Sequence, residues 1–322
     1  MELKIFVILT FVISALSGWL TIPKIILISK KKKLFDELSA RKSHHGNVPR
    51  LGGVSFFPSF LFSVTLLLGM CYYQGLTVAA SPVEAAFKEL FFVIAGGTLL
   101  FFVGLADDLS GLSYKPKFVA QILVGVLLIY GGVGIENLGG LFGLYHIPSS
   151  VGWVLTVLVT VLLVNAYNLI DGIDGLCSGL ALLALGAFGG WFCWNHLYVY
   201  GMMAMGIAGV VSVFFFYNVL GRRMKIFMGD TGSLTLGFLI AFFGLKFYNL
   251  NINTDMFGIQ ATPAVFLGIV FIPAFDTLRV FCVRIASGLS PFYPDKRHIH
   301  HKMLRLGLTH FQSAMLIIVM QT

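Results

Sequence analysis

Long apolar runs, each of roughly 17 to 25 residues, fill most of this sequence. An α-helix rises about 1.5 Å per residue, so a run of this length is long enough to cross the hydrocarbon core of a membrane. Hydrophobic residues make up 57% of the chain and charged residues only 11%, which leaves too few polar groups to cover a water-soluble globule. The strict alternation of polar and apolar residues that marks a membrane β-barrel is absent. The sequence therefore predicts an all-α fold, a polytopic bundle of transmembrane helices.

Hydropathy divides this bundle into nine complete spans and a tenth that the chain end truncates. The nine lie near residues 5–28, 51–73, 90–106, 118–135, 151–166, 176–194, 197–219, 232–247 and 256–275, and the tenth near 311–320. No linker, internal repeat or low-complexity tract separates them, so we expect residues 1–322 to form a single membrane domain. Residues 131–148 are Gly-rich and too polar to span, and their alternating pattern predicts a short periplasmic β-hairpin.

The basic residues predict the orientation of the bundle. Lys and Arg concentrate in the loops after the first, third, seventh and ninth spans, whereas the loops after even-numbered spans have almost none. Basic loops stay in the cytoplasm, so we expect the N-terminus outside and the polar clusters described below on the cytoplasmic face. The net charge of +8 is explained by this topology and by attraction to anionic lipid headgroups, and we expect no nucleic-acid partner.

Polar residues gather in four clusters at the ends of apolar segments. The first contains the adjacent acids Asp107 and Asp108, followed by Lys115 and Lys117. Neighbouring carboxylates repel one another, and at a membrane surface such a pair requires a metal ion, a shared proton or a nearby cation. Because the two lysines supply cations, the cluster favours a phosphate site over a hydrated loop.

The second cluster contains Asn165, Asn168, Asp171 and Asp174, which recur every third residue. On a helical or 3₁₀ turn this spacing predicts that all four side chains lie on roughly one face. The turn and cap preferences of Asn and Asp explain one or two of them, but hardly four in register. The glycines that follow Asp171 and Asp174 leave room for a ligand to approach the backbone.

The third and fourth clusters lie near the last spans. Asp230 stands between glycines at the start of a span, where a carboxylate can hold Mg²⁺ and free N–H groups can bind phosphate, although a simple helix cap has the same signature. The fourth cluster contains Arg297, His298, His300 and His301. It lacks a Cys or acidic partner at zinc-site spacing and carries several cations, so a phosphate- or sugar-binding loop is predicted rather than a zinc site.

Together these clusters resemble the polyprenyl-phosphate N-acetylhexosamine-1-phosphate transferase family. The resemblance is carried by LADDLSGLSYKPK, NAYNLIDGIDGL, FMGDTGS and DKRHIHHKML in this order, with the loop RKSHHGNVPRLGG as a fifth match. It extends from about residue 41 to residue 304. The DKRHIHH form is similar to the branch that acts with N-acetylglucosamine 1-phosphate and undecaprenyl phosphate.

The resemblance implies an enzyme of the bacterial cytoplasmic (inner) membrane that moves a HexNAc 1-phosphate from a UDP-sugar to undecaprenyl phosphate and releases UMP. It implies Mg²⁺, with Mn²⁺ as an alternative. In this reading Asp107 positions or deprotonates the lipid phosphate, and the histidines hold the sugar diphosphate. The implied metal ligands are Asn168 and Asp230, the catalytic residues Asp107, Asp108, Asp171 and Asp174, and the substrate-binding residues Arg50, Lys115, Lys117, Asn165, Arg297, His298, His300 and His301.

Alternatives stay open at this point. The branch that acts on UDP-MurNAc-pentapeptide usually has three consecutive histidines followed by an acid, whereas this chain has Ile299 inside the run and Lys302 after it. A secondary transporter also carries intramembrane acids, but near the midplane between internal repeats. Here only Asp276 lies within an apolar run, and it lies close to the cytoplasmic end of that run. The oligomeric state is open as well, with a homodimer as one option.

Overall fold

The computed structural model describes residues 2–34, 48–76, 83–141, 143–221, 224–253, 259, 261–289 and 297–322. Within these ranges the chain is mostly helical, which confirms the predicted all-α membrane bundle. The early part of the fifth motif, with His44 and His45, lies outside the described residues. The α-helices are α1 Glu2–Lys32, α2 Phe56–Tyr73, α3 Val83–Ser110, α4 Tyr114–Gly131, α5 Ser149–Ile170, α6 Leu176–Trp194, α7 Tyr198–Leu220, α8 Gly229–Asn253, α9 Thr262–Ile269, α10 Phe271–Ala286, α11 Ile299–Arg305 and α12 His310–Gln321.

Seven of the described helices are long and apolar enough to cross a membrane, namely α1, α2, α3, α5, α6, α7 and α8. An eighth span results if α9 and α10 are counted together. The predicted fourth span forms α4, which carries Lys115, Lys117 and Gln121 and is not among the seven. The predicted tenth forms α12, which has 12 residues. The count of nine spans, like the outside N-terminus, therefore stays a prediction.

The predicted ninth span is a bent pair of helices, because α9 and α10 meet at an angle of 81°. Pro273 has no backbone N–H to donate to the Ile269 carbonyl, so the helical ladder is interrupted here. The side chain of Gln321 supplies replacement partners. Its Oε1 accepts from the Ile272 N–H at 2.8 Å, and its Nε2 donates to the Ile269 carbonyl at 3.0 Å. The end of α12 thereby stabilises the bend between α9 and α10.

The central helix of the bundle is α8. Of its apolar stretch 89% is buried, whereas the corresponding figure for α1 is 33%. α8 packs against α3 and α5, and α1 packs on α7 at the outside. α1 exposes large apolar side chains such as Ile8, Trp19 and Leu20, as a helix that faces lipid does. The first residues of α8 are therefore enclosed by the ends of other helices.

The predicted hairpin is confirmed at the other end of the bundle. Strands β1 Asn137–Leu141 and β2 Leu144–His146 pair antiparallel. Tyr248, near the C-terminal end of α8, donates from its Oη to the Asn137 carbonyl at 2.9 Å. Since Asp230 lies in the first turn of α8 and the helix rises about 1.5 Å per residue, the hairpin lies on the order of 30 Å from that acid. Its location in the periplasm remains a prediction.

Candidate active site

One lysine links the acids of two clusters. Lys117 Nζ lies 3.2 Å from Asp107 Oδ2 and 2.9 Å from Asp230 Oδ2. The three side chains are only 13% to 21% exposed. A carboxylate in such a setting is tolerated when a cation balances it. The ends of α3 and α8 and the first turn of α4 thus meet at one charged point, as the sequence predicted for the acids.

The neighbouring acid, Asp108, accepts hydrogen bonds from the start of α8. Its Oδ1 accepts from the Asp230 N–H at 2.8 Å, and its Oδ2 accepts from the N–H and the hydroxyl of Thr231 at 3.0 and 2.6 Å. A Cβ on Gly104 would lie 2.5 Å from Thr231 Cα, so only glycine allows α3 to approach α8 this closely. Asp108 therefore caps the N-terminus of α8 from another helix, where a negative charge is favourable.

We expect Asp108→Ala to lower the free energy of unfolding by about 1 to 2 kcal/mol, the usual value of a helix N-cap. The variant leaves the first N–H groups of α8 without their acceptor. Thr231→Val is the matched control, since it removes only the hydroxyl contact and should cost less. Thermal unfolding in detergent measures both. An unchanged midpoint in Asp108→Ala would contradict the capping role.

The second cluster does not lie on one continuous helix. α5 ends at Ile170, so the regular spacing is lost before Asp171. Asn168 Nδ2 donates to Ser233 Oγ at 2.8 Å on α8 and lies beside Asp230. Asn165, one turn earlier, donates to Gln121 Oε1 at 2.5 Å and joins α5 to α4. Asn165 is thus engaged in helix packing, and the alignment of all four side chains on one face stays a prediction.

Asp174 has a cationic partner of its own. Its Oδ2 lies 2.6 Å from Lys225 Nζ in the segment before α8. The turn itself is held by Asn218, whose Oδ1 accepts from the Gly175 N–H at 2.6 Å and whose Nδ2 donates to the Ile226 carbonyl at 2.9 Å. Asn218 was not predicted as a functional residue. The available signal in the sequence was an amide inside the apolar run that forms α7, and in the structure this side chain is buried. These contacts tie the turn after α5 to the start of α8.

Asp171 has an unusual protonation equilibrium. Burial raises its pKa to about 7, and the negative charges of Asp230, Asp174 and Asp108 act in the same direction, whereas Arg50 opposes them. The carboxyl is thus close to half protonated at neutral pH. A bound cation or cationic group would favour its ionised form.

This shift predicts a pH-dependent stability in metal-free buffer. The folded pKa of Asp171 lies above its ordinary value, so its contribution is fully present below pH ~4 and is lost as pH rises through about 7. The loss is on the order of a few kcal/mol. Thermal midpoints between pH 5 and pH 8 should fall more steeply in the wild type than in Asp171→Asn. Parallel curves for the two proteins would disprove it.

The part of the fifth motif that the structure describes runs beside the start of α8. Gly52 and Gly53 donate from their N–H groups to the carbonyls of Phe227 and Met228 at 2.9 and 2.8 Å. This pairing places Arg50 near the acids, in agreement with its effect on Asp171. Lys115 is exposed in the first turn of α4, at the rim of the centre.

The histidine cluster reaches the same region from the C-terminal part of the chain. A Cβ on Gly172 would lie 2.2 Å from His300 Nε2, so the imidazole packs directly on the turn after α5. The rings of His298 and His300 are stacked with centroids 5.9 Å apart, and His301 lies 4.2 Å from His300. Burial, together with His301 and His298, lowers the pKa of His300 to about 3, so this ring is neutral. Arg297 lies at the rim and donates to Ser287 Oγ at 3.2 Å.

The Lys117 centre offers oxygen donors, the ligands that Mg²⁺ prefers. Among the residues that the structure describes, no three His, Cys, Asp or Glu side chains form a complete metal site. Asp107 and Asp230 nevertheless present two carboxylates to one cation, the Lys117 ammonium. Mg²⁺ is commonly bound by one or two carboxylates, water and substrate phosphates rather than by a full protein cage. These residues therefore fit Mg²⁺ held by Asp230, with Asn168 beside it.

Buried carboxylates, amides and cations at one end of a bundle of membrane-length helices define an integral membrane protein with a site for charged, phosphate-like ligands. Residues 90–248 match the profile of glycosyl transferase family 4. With the relatives described next, this match shows that the chain belongs to glycosyl transferase family 4. The resemblance recognised in the sequence is thereby confirmed.

Three similar proteins share the name undecaprenyl-phosphate alpha-N-acetylglucosaminyl 1-phosphate transferase. The protein of Escherichia coli (strain K12) is 32% identical over 294 residues, which cover 90% of this chain and 74% of the relative. The protein of Yersinia pestis is 33% identical over 305 residues, with the same coverage of 90% and 74%. The protein of Haemophilus influenzae is 30% identical over 325 residues and covers 96% and 82%.

Proposed function

We propose that this protein transfers N-acetylglucosamine 1-phosphate from UDP-N-acetylglucosamine to undecaprenyl phosphate, with Mg²⁺, at the cytoplasmic face of a bacterial inner membrane. The observation that carries the proposal is the Lys117 bridge between Asp107 and Asp230 at one end of the bundle. The name that the similar proteins share supports the sugar phosphate and the lipid acceptor. The product, undecaprenyl-diphospho-N-acetylglucosamine, would start a cell-envelope polysaccharide such as O-antigen.

In this reaction an oxygen of undecaprenyl phosphate attacks the sugar-bearing phosphorus of the donor, and the bond from that phosphorus to UMP breaks. Catalysis of such a transfer depends on positioning and on neutralising charge. When bound, Mg²⁺ neutralises charge on the pyrophosphate. We assign Asp107 to orient the acceptor phosphate and take up its proton, because Asp108 is occupied by the cap of α8. Lys117 would donate to phosphate oxygens.

The donor is assigned to the side of the centre formed by the turn after α5 and the histidine cluster. A neutral imidazole both donates and accepts hydrogen bonds, so His300 is suited to a sugar hydroxyl or an N-acetyl group. Arg297 at the rim would grip the pyrophosphate through paired N–H donors. Asp171 is close enough to Asp230 and Arg50 for their charges to act on its pKa. His301 and Lys115 complete the proposed substrate contacts.

The test uses purified protein in lipid nanodiscs with undecaprenyl phosphate, Mg²⁺ and a panel of UDP-sugars, and it measures UMP release. We expect UDP-N-acetylglucosamine to be the fastest donor and removal of Mg²⁺ by EDTA to stop the reaction, with Mn²⁺ tested as a substitute. A preference for UDP-MurNAc-pentapeptide would place the protein in the peptidoglycan branch. Counterflow uptake of the sugar nucleotide into proteoliposomes without UMP release would support a transporter instead. Whether the protein forms a homodimer stays a prediction.

A further inference from the structure

A carboxylate on α10 holds the segment that carries the histidines. Asp276 Oδ2 lies 2.8 Å from His298 Nδ1, and its Oδ1 accepts from the Ile299 N–H at 3.0 Å. Arg279, one turn later, donates to the same Oδ1 at 2.6 Å and to the Arg297 carbonyl at 2.7 Å. The side chains of Asp276 and His298 are each only 5% exposed. The start of α11 is thus tied to α10 by a buried polar contact.

The direction of this hydrogen bond follows from the chemistry of the pair. An ionised carboxylate only accepts hydrogen bonds, so the proton between the two groups belongs to His298 Nδ1. When the imidazole is neutral, its Nε2 is then an acceptor that faces away from the carboxylate. Asp276 therefore determines both the orientation and the tautomer of this ring.

The contact extends to the turn after α5. The His298 ring is stacked on His300 at an interplanar angle of 5°. His300 in turn packs on Gly172, next to Asp171. In the described part of the chain, His300 Nδ1 is buried and has no hydrogen-bond partner, as expected of a polar atom that bonds to a ligand. A displacement of His298 would therefore move the ring that borders the proposed donor site.

We propose that Asp276 is a positioning residue for the sugar-nucleotide donor, acting through His298 and His300. This inference rests on the proposed function for the identity of the donor. α10 exposes Phe271, Phe275 and Leu278 on its outer face and buries Asp276 against the bundle. A buried acid at this point is costly unless its hydrogen bonds are used. Here those hydrogen bonds hold His298 in place and, through it, His300.

The test compares Asp276→Ala and Asp276→Asn with Thr277→Ala, which changes the next buried residue of the same helix. We expect Asp276→Ala to raise the KM for UDP-N-acetylglucosamine about tenfold or more, while the KM for undecaprenyl phosphate changes less than about twofold. Asp276→Asn keeps one acceptor oxygen and should recover part of the loss. Thr277→Ala should leave both constants near wild type. Equal shifts in both KM values, or a lower melting temperature with unchanged KM values, would show a merely structural role.

A second readout is independent of turnover. In protein labelled with ¹⁵N-histidine, the His298 signal, assigned by its loss in His298→Gln, should show a protonated Nδ1 and an unprotonated Nε2. Asp276→Ala should abolish this preference. A wild-type His298 that carries its proton on Nε2 would overturn the inference even if UDP-N-acetylglucosamine is a substrate. If that sugar nucleotide is not turned over, the proposed function fails, and the NMR result still decides the role of Asp276.

Discussion

Asp230→Asn should reduce turnover by a factor on the order of a thousand or more without unfolding the bundle. The substitution keeps the shape of the side chain but removes the negative charge that Lys117 balances and that a magnesium ion requires. The fold should survive because Asp108 caps residue 230 through its backbone N–H, which the amide variant retains. Steady-state UMP release and size-exclusion chromatography measure the two expectations.

Glu136→Gln is the matched control for this variant. It makes the same acid-to-amide change beside the hairpin, at the opposite end of the bundle, and should keep wild-type activity. Protection against thermal unfolding by Mg²⁺ with UDP should disappear in Asp230→Asn and persist in Glu136→Gln. Normal Mg²⁺-dependent turnover by Asp230→Asn would exclude this residue as a ligand.

The positions of most helices and the proximity of the acids could be predicted from the sequence alone. The predicted span 176–194 coincides with α6, because an apolar run bounded by polar turns has few alternatives in a membrane. Counting the spans predicted that Asp107 and Asp230 lie at the same end of the bundle, and the Lys117 bridge confirms this. Apolar runs and charge bias are properties of single segments, so they can be read without knowing the packing.

The roles of individual polar residues could not be read in this way. Asp107 and Asp108 are adjacent in sequence, yet one contacts Lys117 and the other caps α8, more than 100 residues away. Asn165 fits the three-residue spacing of its cluster, but its partner is Gln121 on α4. Each of these assignments depends on which helix lies opposite, and hydropathy carries no information on that. Pro273 was a visible sign of the bend between α9 and α10, whereas the Gln321 contact was not.

A pair of charges within the bundle was not predicted from the sequence. Glu89 lies one residue before the predicted third span, and Lys246 lies inside the predicted eighth. In the structure Glu89 Oε1 is 2.7 Å from Lys246 Nζ, and Tyr200 Oη donates to Glu89 Oε2 at 2.8 Å. Lys246 Nζ also lies 5.0 Å above the centre of the Tyr200 ring. This cluster joins α3, α7 and α8 far from the Lys117 centre.

We expect Glu89→Ala to cost about 3 to 5 kcal/mol in the free energy of unfolding, the usual effect of removing one member of a buried ion pair. The loss follows because the Lys246 ammonium would remain in a site that is 9% exposed, without its carboxylate. Activity of the folded fraction should be unchanged, since Glu89 and Asp107 are 18 residues apart on α3, or about 27 Å. Thermal unfolding in nanodiscs and turnover below the melting temperature measure the two effects.

The double variant Glu89→Gln with Lys246→Met decides whether stranded charge is the cause. It removes both charges, keeps an oxygen that can accept from Tyr200, and should recover most of the stability lost in Glu89→Ala. If the double variant is as unstable as Glu89→Ala, the loss comes from packing of the side chains rather than from the unpaired ammonium. A recovery would mean that the unpaired Lys246 ammonium, rather than lost packing, destabilises Glu89→Ala.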